Sequence, residues 1–248
     1  MRPLLHSCFW LTLGTVLVCG CDLSHGRPGK DSETLAPDKI MDFKILYAEN
    51  CAGCHGTDGR GGAAIALANP VYLAIADEAA MRRETAEGVQ GTSMPAFAQS
   101  AGGMLTDKQI DVITTQIRAR WARPGILTGV EAPSHQNLRK SPGVAARGEL
   151  VYKTYCESCH GAEGHGGQKG SAITDGAFLA LVSDQGLRTL VIVGRPELNA
   201  PDWRGNVPGK PMSEEEITDV VAWLASKRVQ TPGQPYPAAQ NAPAPGGR

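Results

Sequence analysis

The chain contains one five-residue signature twice, as Cys51-Ala52-Gly53-Cys54-His55 and as Cys156-Glu157-Ser158-Cys159-His160. Cys-x-x-Cys-His is the sequence at which haem c is attached. The two thiols add across the vinyl groups of the haem, and the adjacent histidine becomes the proximal ligand of the iron. Structural zinc sites are the alternative, but zinc gives no reason for a histidine directly after each Cys-x-x-Cys pair. The signatures therefore predict two covalently bound haem c groups, attached to Cys51, Cys54, Cys156 and Cys159, with His55 and His160 as proximal iron ligands.

Two copies of a domain-sized unit surround these signatures. A displacement of about 105 to 107 residues pairs Tyr47 with Tyr152 and Pro95 with Pro201, all of them outside the motifs. Repetition at a fixed offset indicates tandem copies of one structural unit. Because the period is a whole domain, we predict two tandem domains and not a solenoid.

Each unit reads as a helical domain that ends in an amphipathic helix. We predict a helix before each signature, over 37–50 and 144–155, then a glycine-rich loop, a middle helical stretch and the closing helix. Capping boxes at Thr106-x-x-Gln109 and Ser213-x-x-Glu216 open the two closing helices. Apolar residues at helical spacing follow them: Ile110, Ile113, Ile117 and Trp121 in the first, and Ile217, Val220, Val221 and Leu224 in the second. The predicted fold class is all-α, with a few helices around each covalent haem.

Composition divides the rest of the chain. The predicted haem domains occupy 38–122 and 144–229, joined by a Pro-, Gly- and Ser-rich linker over 123–143. A tether is predicted over 21–37 and a disordered tail, rich in Pro, Ala and Gly, over 230–248. His135 falls in the linker without a partner cluster, so we expect its side chain to be solvated.

The N-terminus is typical of an export signal over residues 1–20. Its apolar run of about ten residues, 9–18, is too short to span a bilayer, which needs about 20. The run ends in Leu17-Val18-Cys19-Gly20-Cys21, which resembles a bacterial lipobox. On that interpretation Cys21 is lipidated and tethers the chain at the periplasmic side of a bacterial membrane. An ordinary signal peptide cut nearby, or an uncleaved anchor, is the alternative.

Signature, glycine-rich loop and closing helix together resemble a class I cytochrome c domain, present here twice. The resemblance implies that the helix before the haem crosses the closing helix through a small residue and an aromatic one. Gly148, Tyr152 and Trp223 fit that contact in the second domain. The first domain has Phe43 where Gly148 aligns and Gln116 where Trp223 aligns, so we predict a different crossing there.

The resemblance also implies a methionine as the sixth iron ligand, on the loop before the closing helix. Met94 fits that place in the first domain, whereas Ala200 stands opposite it in the second, and alanine cannot bind iron. Three alternatives remain open for the second haem. Met212 ligates through a rearranged loop, the sixth position is vacant or holds water, or another group such as Lys210 or Asn199 binds.

Arginines at matching positions are candidates for pairing with haem propionates, because a guanidinium suits carboxylate geometry. They are Arg82 and Arg188, with Arg195 nearby, and a solvated surface position is the alternative for each.

The favoured function is electron transfer, by a tethered carrier or a haem subunit of a respiratory or photosynthetic chain, with redox proteins as partners and no catalysis of its own. The net charge of −1 excludes a general nucleic-acid binder. A haem enzyme or small-ligand sensor with an open second haem is the alternative, and Ala200 is its only motivation.

Overall fold

Helices and loops make up the described part of the protein. The computed structural model describes residues 35–137 and 141–229, and within these ranges it contains ten α-helices and no β-strand. The first half contains α1 (Phe43–Asn50), α2 (Ala52–His55), α3 (Pro70–Ile75), α4 (Glu78–Glu87) and α5 (Asp107–Trp121). The second half contains α6 (Ala145–Tyr155), α7 (Glu157–His160), α8 (Gly176–Leu181), α9 (Asp184–Val193) and α10 (Glu214–Ser226). The predicted all-α class is confirmed.

The chain divides after Lys39 into two compact units. The described part of the first unit is residues 35–39, which contain a 3-10 turn at Pro37–Lys39. All ten helices belong to the second unit. The predicted signal peptide over 1–20, the lipidation site Cys21, residues 21–34 of the tether and the tail over 230–248 lie outside the described residues. The limits of the two haem domains stay predictions.

The first helix begins later than predicted. A helix over 37–50 was expected, but α1 begins only at Phe43. Asp42 is its N-cap, with an extended backbone, and its Oδ1 accepts hydrogen bonds from the N–H groups of Lys44 at 2.8 Å and Ile45 at 3.1 Å. An aspartate that accepts hydrogen bonds from these free donors fixes the residue at which the helix begins.

The structure confirms the capping boxes and apolar stripes predicted for the two closing helices. Both capping boxes are formed, at Thr106 with Gln109 and at Ser213 with Glu216. The predicted apolar stripes face the core, where Ile110 and Ile217 are each fully buried.

The two halves differ in how the first and last helices cross, as predicted. In the second half α6 approaches α10 at Gly148, and the ring of Tyr152 stacks on Trp223 with centroids 4.3 Å apart. In the first half Phe43 takes the place of the glycine, and Trp121 at the end of α5 lies edge-on to Tyr47 at 5.3 Å. The larger residue holds the helices further apart, and aromatic edges fill the space.

The linker is packed against the second half, and this corrects the prediction for His135. The His135 side chain is only 8% exposed. Its ring lies edge-on to Tyr72 at 6.0 Å, and Nε2 is 3.2 Å from the hydroxyl of Thr189. These contacts come from elements far away in sequence, so the local composition of the linker did not reveal them.

Among the described residues, no helix combines the length and the apolar character that a membrane crossing requires.

Candidate haem sites

Both signatures lie on a single turn of helix that follows the first helix of each half. Cys51 ends α1, and its N–H donates to the Tyr47 carbonyl at 2.9 Å; Cys156 ends α6 and donates to Tyr152 at 2.8 Å. The next turn, α2 or α7, ends with the histidine. The first cysteine of each signature caps this turn and the second lies within it, three residues on, so the two cysteines are close neighbours. This placement suits two bonds to one macrocycle.

The ring of each signature histidine is held in one orientation by a backbone carbonyl. Nδ1 of His55 lies 2.8 Å from the Ile65 oxygen, and Nδ1 of His160 lies 2.8 Å from the Ser171 oxygen. A carbonyl only accepts hydrogen bonds, so Nδ1 carries the proton and donates it in both rings. Nε2 then keeps its lone pair for a metal. Burial lowers the pKa of His55, which favours this neutral form.

A tyrosine from the first helix of each half stabilises the signature by a hydrogen bond to the backbone that follows it. Its hydroxyl donates to a carbonyl directly after the histidine, from Tyr47 to Gly56 at 2.9 Å and from Tyr152 to Gly161. Burial raises the pKa of both phenols, so both stay protonated donors. The proximal halves of the two sites are therefore built alike.

The thiols are available for covalent attachment. Cys51, Cys54, Cys156 and Cys159 are free of disulfides in the described residues. Burial, together with the neighbouring Cys54, raises the pKa of Cys51 to about 11. A thioether carries no charge at any pH, so haem attachment suits this buried position. Thiol placement and histidine orientation both fit a covalent haem in each half.

Two short loops lie between the middle and closing helices, and we call residues 88–97 the first distal loop and 194–203 the second distal loop. Each is closed by the same backbone hydrogen bond, from Val89 N–H to the Met94 carbonyl at 3.0 Å and from Arg195 N–H to the Ala200 carbonyl at 2.9 Å. The structure therefore places Met94 and Ala200 at equivalent positions, as the sequence alignment predicted. Met94 is half-buried.

Met212 occupies the position of Leu105. The N–H of Leu105 donates to Phe97 at 2.8 Å, and that of Met212 donates to Trp203 at 3.0 Å. Both side chains belong to the core, with Leu105 5% and Met212 3% exposed. Iron ligation by Met212 stays a prediction.

Both aligned arginines have protein partners. The structure corrects the alternative of a solvated surface position for Arg188 but agrees with it for Arg82, and pairing with a propionate stays a prediction. Arg188 is 3% exposed, and its guanidinium donates to the Ser134 carbonyl, to Thr218 and to Glu214. Arg82 is half-exposed and pairs with Asp111 at 2.6 Å and with Asp107 at 3.2 Å. Arg188 thus fastens the linker to α10, a role that only the folded linker reveals.

Two polar contacts join the halves beside the haem sites, and sequence reasoning missed both. Arg195 in the second distal loop donates to the carbonyl of Gly62 at 2.9 Å, in the loop that follows His55. Asn69, which is the N-cap of α3, donates to the Val193 carbonyl at the end of α9 at 3.0 Å. The loop that follows His55 therefore touches the second distal loop.

Comparison with known proteins agrees with this geometry. The Cytochrome c family model matches residues 43–121, and the model for cytochrome c oxidase, cbb3-type, subunit III matches residues 143–224. The cbb3-type cytochrome c oxidase subunit CcoP of Azospirillum sp. (strain B510) is 30% identical over 134 residues, which cover 50% of this chain and 40% of that protein. The cytochrome bc1 complex cytochrome c subunit of Mycobacterium bovis is 24% identical over 185 residues, which cover 73% of this chain and 61% of that protein.

The chain thus spans less than two thirds of the length of either curated relative. Among solved structures, the reducing HAO-like protein complex of Kuenenia stuttgartiensis is similar over 79% of this chain and 100% of that chain, with 18% identity and a TM-score of 0.43.

Family matches and signature geometry together define the class of protein: each half is a class I cytochrome c domain. The chain carries two of them in tandem, with two covalently bound haem c groups.

Proposed function

We propose that the chain transfers single electrons through its two haems. The observation that carries the proposal is the pair of matching proximal sites, with the second distal loop held against the loop after His55 by the hydrogen bond from Arg195 to Gly62. Haem c supplies an iron that changes its oxidation state by one electron. The protein residues hold that iron in place and set how readily it accepts the electron.

The two proposed axial ligands of the first haem act on its potential in opposite directions: a more basic histidine favours ferric iron, and the methionine decides the net shift toward the reduced state. The hydrogen bond from Nδ1 of His55 to the Ile65 carbonyl fixes the ring and raises the basicity of Nε2. We propose Met94 as the distal ligand, since its neutral, soft thioether favours ferrous iron over ferric. A potential well above that of a two-histidine haem is the expected consequence.

A redox titration of the purified full chain tests this function. We expect a pyridine haemochrome assay to give two haems per chain, and spectroelectrochemistry to give two reversible one-electron steps. Cys54→Ala and Cys159→Ala are a matched pair that impairs attachment in one half at a time and so assigns each step. Fewer than two haems per chain, or haems that do not cycle reversibly, would contradict the proposal.

We further propose that the chain acts beside a membrane complex and catalyses no reaction itself. The named relatives are subunits of a cbb3-type oxidase and of a bc1 complex, which supports a similar place here. Extraction in mild detergent distinguishes a haem subunit of such a complex from a separate electron carrier. A haem subunit will copurify with membrane proteins in fixed stoichiometry, whereas a carrier will be recovered alone.

The tether is proposed to be a lipid on Cys21, at the periplasmic side of the membrane. Cys19 is the matched control, because it lies two residues earlier but would leave with the signal peptide. We expect labelled fatty acid to enter the wild type and Cys19→Ser but not Cys21→Ser. Labelling that survives Cys21→Ser would rule out this anchor.

A further inference from the structure

The second distal loop presents no iron ligand at the position that Met94 holds in the first. Ala200 stands there, and its backbone is fixed on both sides by Arg195. The Arg195 N–H donates to the Ala200 carbonyl at 2.9 Å, and the Ala200 N–H donates back to the Arg195 carbonyl at 3.0 Å. An alanine at such a site has no atom that can bind iron.

Met212 is held where the first domain places a packing residue. Its N–H donates to the Trp203 carbonyl, as that of Leu105 does to Phe97. Its side chain is buried, with Sδ 3.9 Å from the amide nitrogen of Asn206. Met212 thus takes the core position that Leu105 holds in the first half, and not the position of Met94.

The other candidate ligands are directed elsewhere. Lys210 is exposed, and its ammonium lies over the ring of Tyr155, 5.2 Å from the centroid. Asn199 is exposed at a left-handed position in the turn between Arg195 and Ala200. His165 lies in the loop after the proximal histidine, where its ring contacts the hydroxyl of Thr174 at 3.4 Å.

The charged groups of the second distal loop are paired with one another. Arg195 pairs with Glu197, and Asp202 pairs with the following Arg204 at 2.6 Å. The structure describes this loop in full, and the cation within it is Arg195. Its guanidinium pairs with Glu197 and donates to the Gly62 carbonyl. A neutral ligand therefore suits this side of the site better than an anion.

We propose that the haem of the second domain keeps its sixth coordination position open and binds a small neutral diatomic molecule there, beside Ala200. The site is built by an alanine at the ligand position, a distal loop fixed by its own backbone and a methionine committed to the core. The proposal rests on haem attachment in the second domain but not on electron transfer between the haems.

Carbon monoxide titration of the reduced full-length holoprotein tests the proposal, with low-temperature EPR of the ferric form beside it. We expect one carbon monoxide per chain, and one low-spin and one high-spin haem. Ala200→Met supplies the missing thioether and should reduce carbon monoxide binding from one per chain to none. Met94→Ala, the converse change in the first domain, should raise it from one to two.

Met212→Leu is the decisive variant, because leucine is the residue that the first domain carries at this position. We expect unchanged carbon monoxide stoichiometry and unchanged spin states. Two low-spin haems in the wild type, with a new high-spin signal in Met212→Leu, would show that Met212 is the ligand and overturn the proposal. Two low-spin haems and no carbon monoxide binding in both proteins would overturn it in favour of another ligand.

Haem content and reversible titration separate this proposal from the proposed function. Two haems that cycle reversibly but bind no carbon monoxide would refute the open site and leave electron transfer standing. A chain that carries no haem on Cys156 and Cys159 would refute both.

Discussion

The crossing of α6 and α10 depends on the absence of a side chain at Gly148, and the substitution Gly148→Ala tests it. A Cβ at this position would lie 2.0 Å from the Asp219 carbonyl oxygen and 2.7 Å from Cβ of Trp223. Both atoms belong to the facing helix and neither is the end of a flexible chain. The helices must therefore separate, and the stacking of Tyr152 on Trp223 at 4.3 Å is lost with them.

Two opposing effects set the size of the change in stability. Alanine favours the helical state over glycine by about 1 kcal/mol. Overpacking of a core costs about 1–3 kcal/mol, and an overlap with a rigid carbonyl belongs at the upper end of that range. The net loss is about 2 kcal/mol, which corresponds to a fall of about 4–8 °C in the melting temperature of a compact unit of about 200 residues.

Thermal unfolding of the holoprotein, followed by far-ultraviolet and Soret circular dichroism, measures this loss. Gly186→Ala in α9 is the matched control, because its Cβ would meet side-chain atoms alone, a methyl group of Val182 at 2.8 Å and the Ser183 hydroxyl at 3.5 Å. The control gains the same helix propensity and should melt at or above the wild-type temperature. A Gly148→Ala protein as stable as this control would refute the close crossing.

Three further predictions concern the linker and the contact between the halves. Arg188→Ala should destabilise the second domain by about 3 kcal/mol in chemical denaturation, because it leaves Glu214 and the Ser134 carbonyl without their buried partner. Its aligned counterpart Arg82→Ala breaks an exposed ion pair and should change the stability much less in the same measurement. Burial lowers the pKa of His135 below its ordinary 6.5. The charge of Asp77 raises this pKa in part, and the charge of Arg188 lowers it slightly further. On acidification the unfolded chain takes up the proton first, so the stability conferred by the neutral ring is present above pH 6.5 and is lost as the pH falls from there toward the folded pKa. The difference between the melting temperatures at about pH 8 and pH 5.5 should therefore be smaller in His135→Gln than in the wild type. An equal fall in melting temperature in both proteins would contradict this. Arg195→Ala should speed amide hydrogen exchange in the second distal loop and, through the lost bond to Gly62, in the loop after His55. Arg204→Ala is the control: its partner Asp202 is local, so hydrogen exchange in the loop after His55 should stay unchanged.

The features that could be predicted from the sequence are those encoded by residues close together in the chain. The signatures and both capping boxes are of this kind. The start of α1 also had a local signal, since Asp42 directly precedes the apolar residue that opens the helix. Recognising it as an N-cap would have placed the boundary correctly.

Residues whose role depends on a distant partner could not be assigned in this way. His135 is buried because Tyr72 and Thr189 come from two other helices. Arg188 and Arg82 align, yet one is buried and the other is half-exposed, because the linker covers only the former. Tertiary contacts of this kind leave no periodic pattern in the sequence.

The two sites differ on the distal side and match on the proximal side for a physical reason. Each proximal histidine needs a neighbouring carbonyl to hold its ring, so a change there would disturb iron binding and loop geometry together. The distal loops are closed by backbone hydrogen bonds that do not involve the side chain at position 94 or 200. The closing hydrogen bond is therefore compatible with a methionine in one loop and an alanine in the other, and for this reason we expect the two haems to differ on their distal sides and not on their proximal sides.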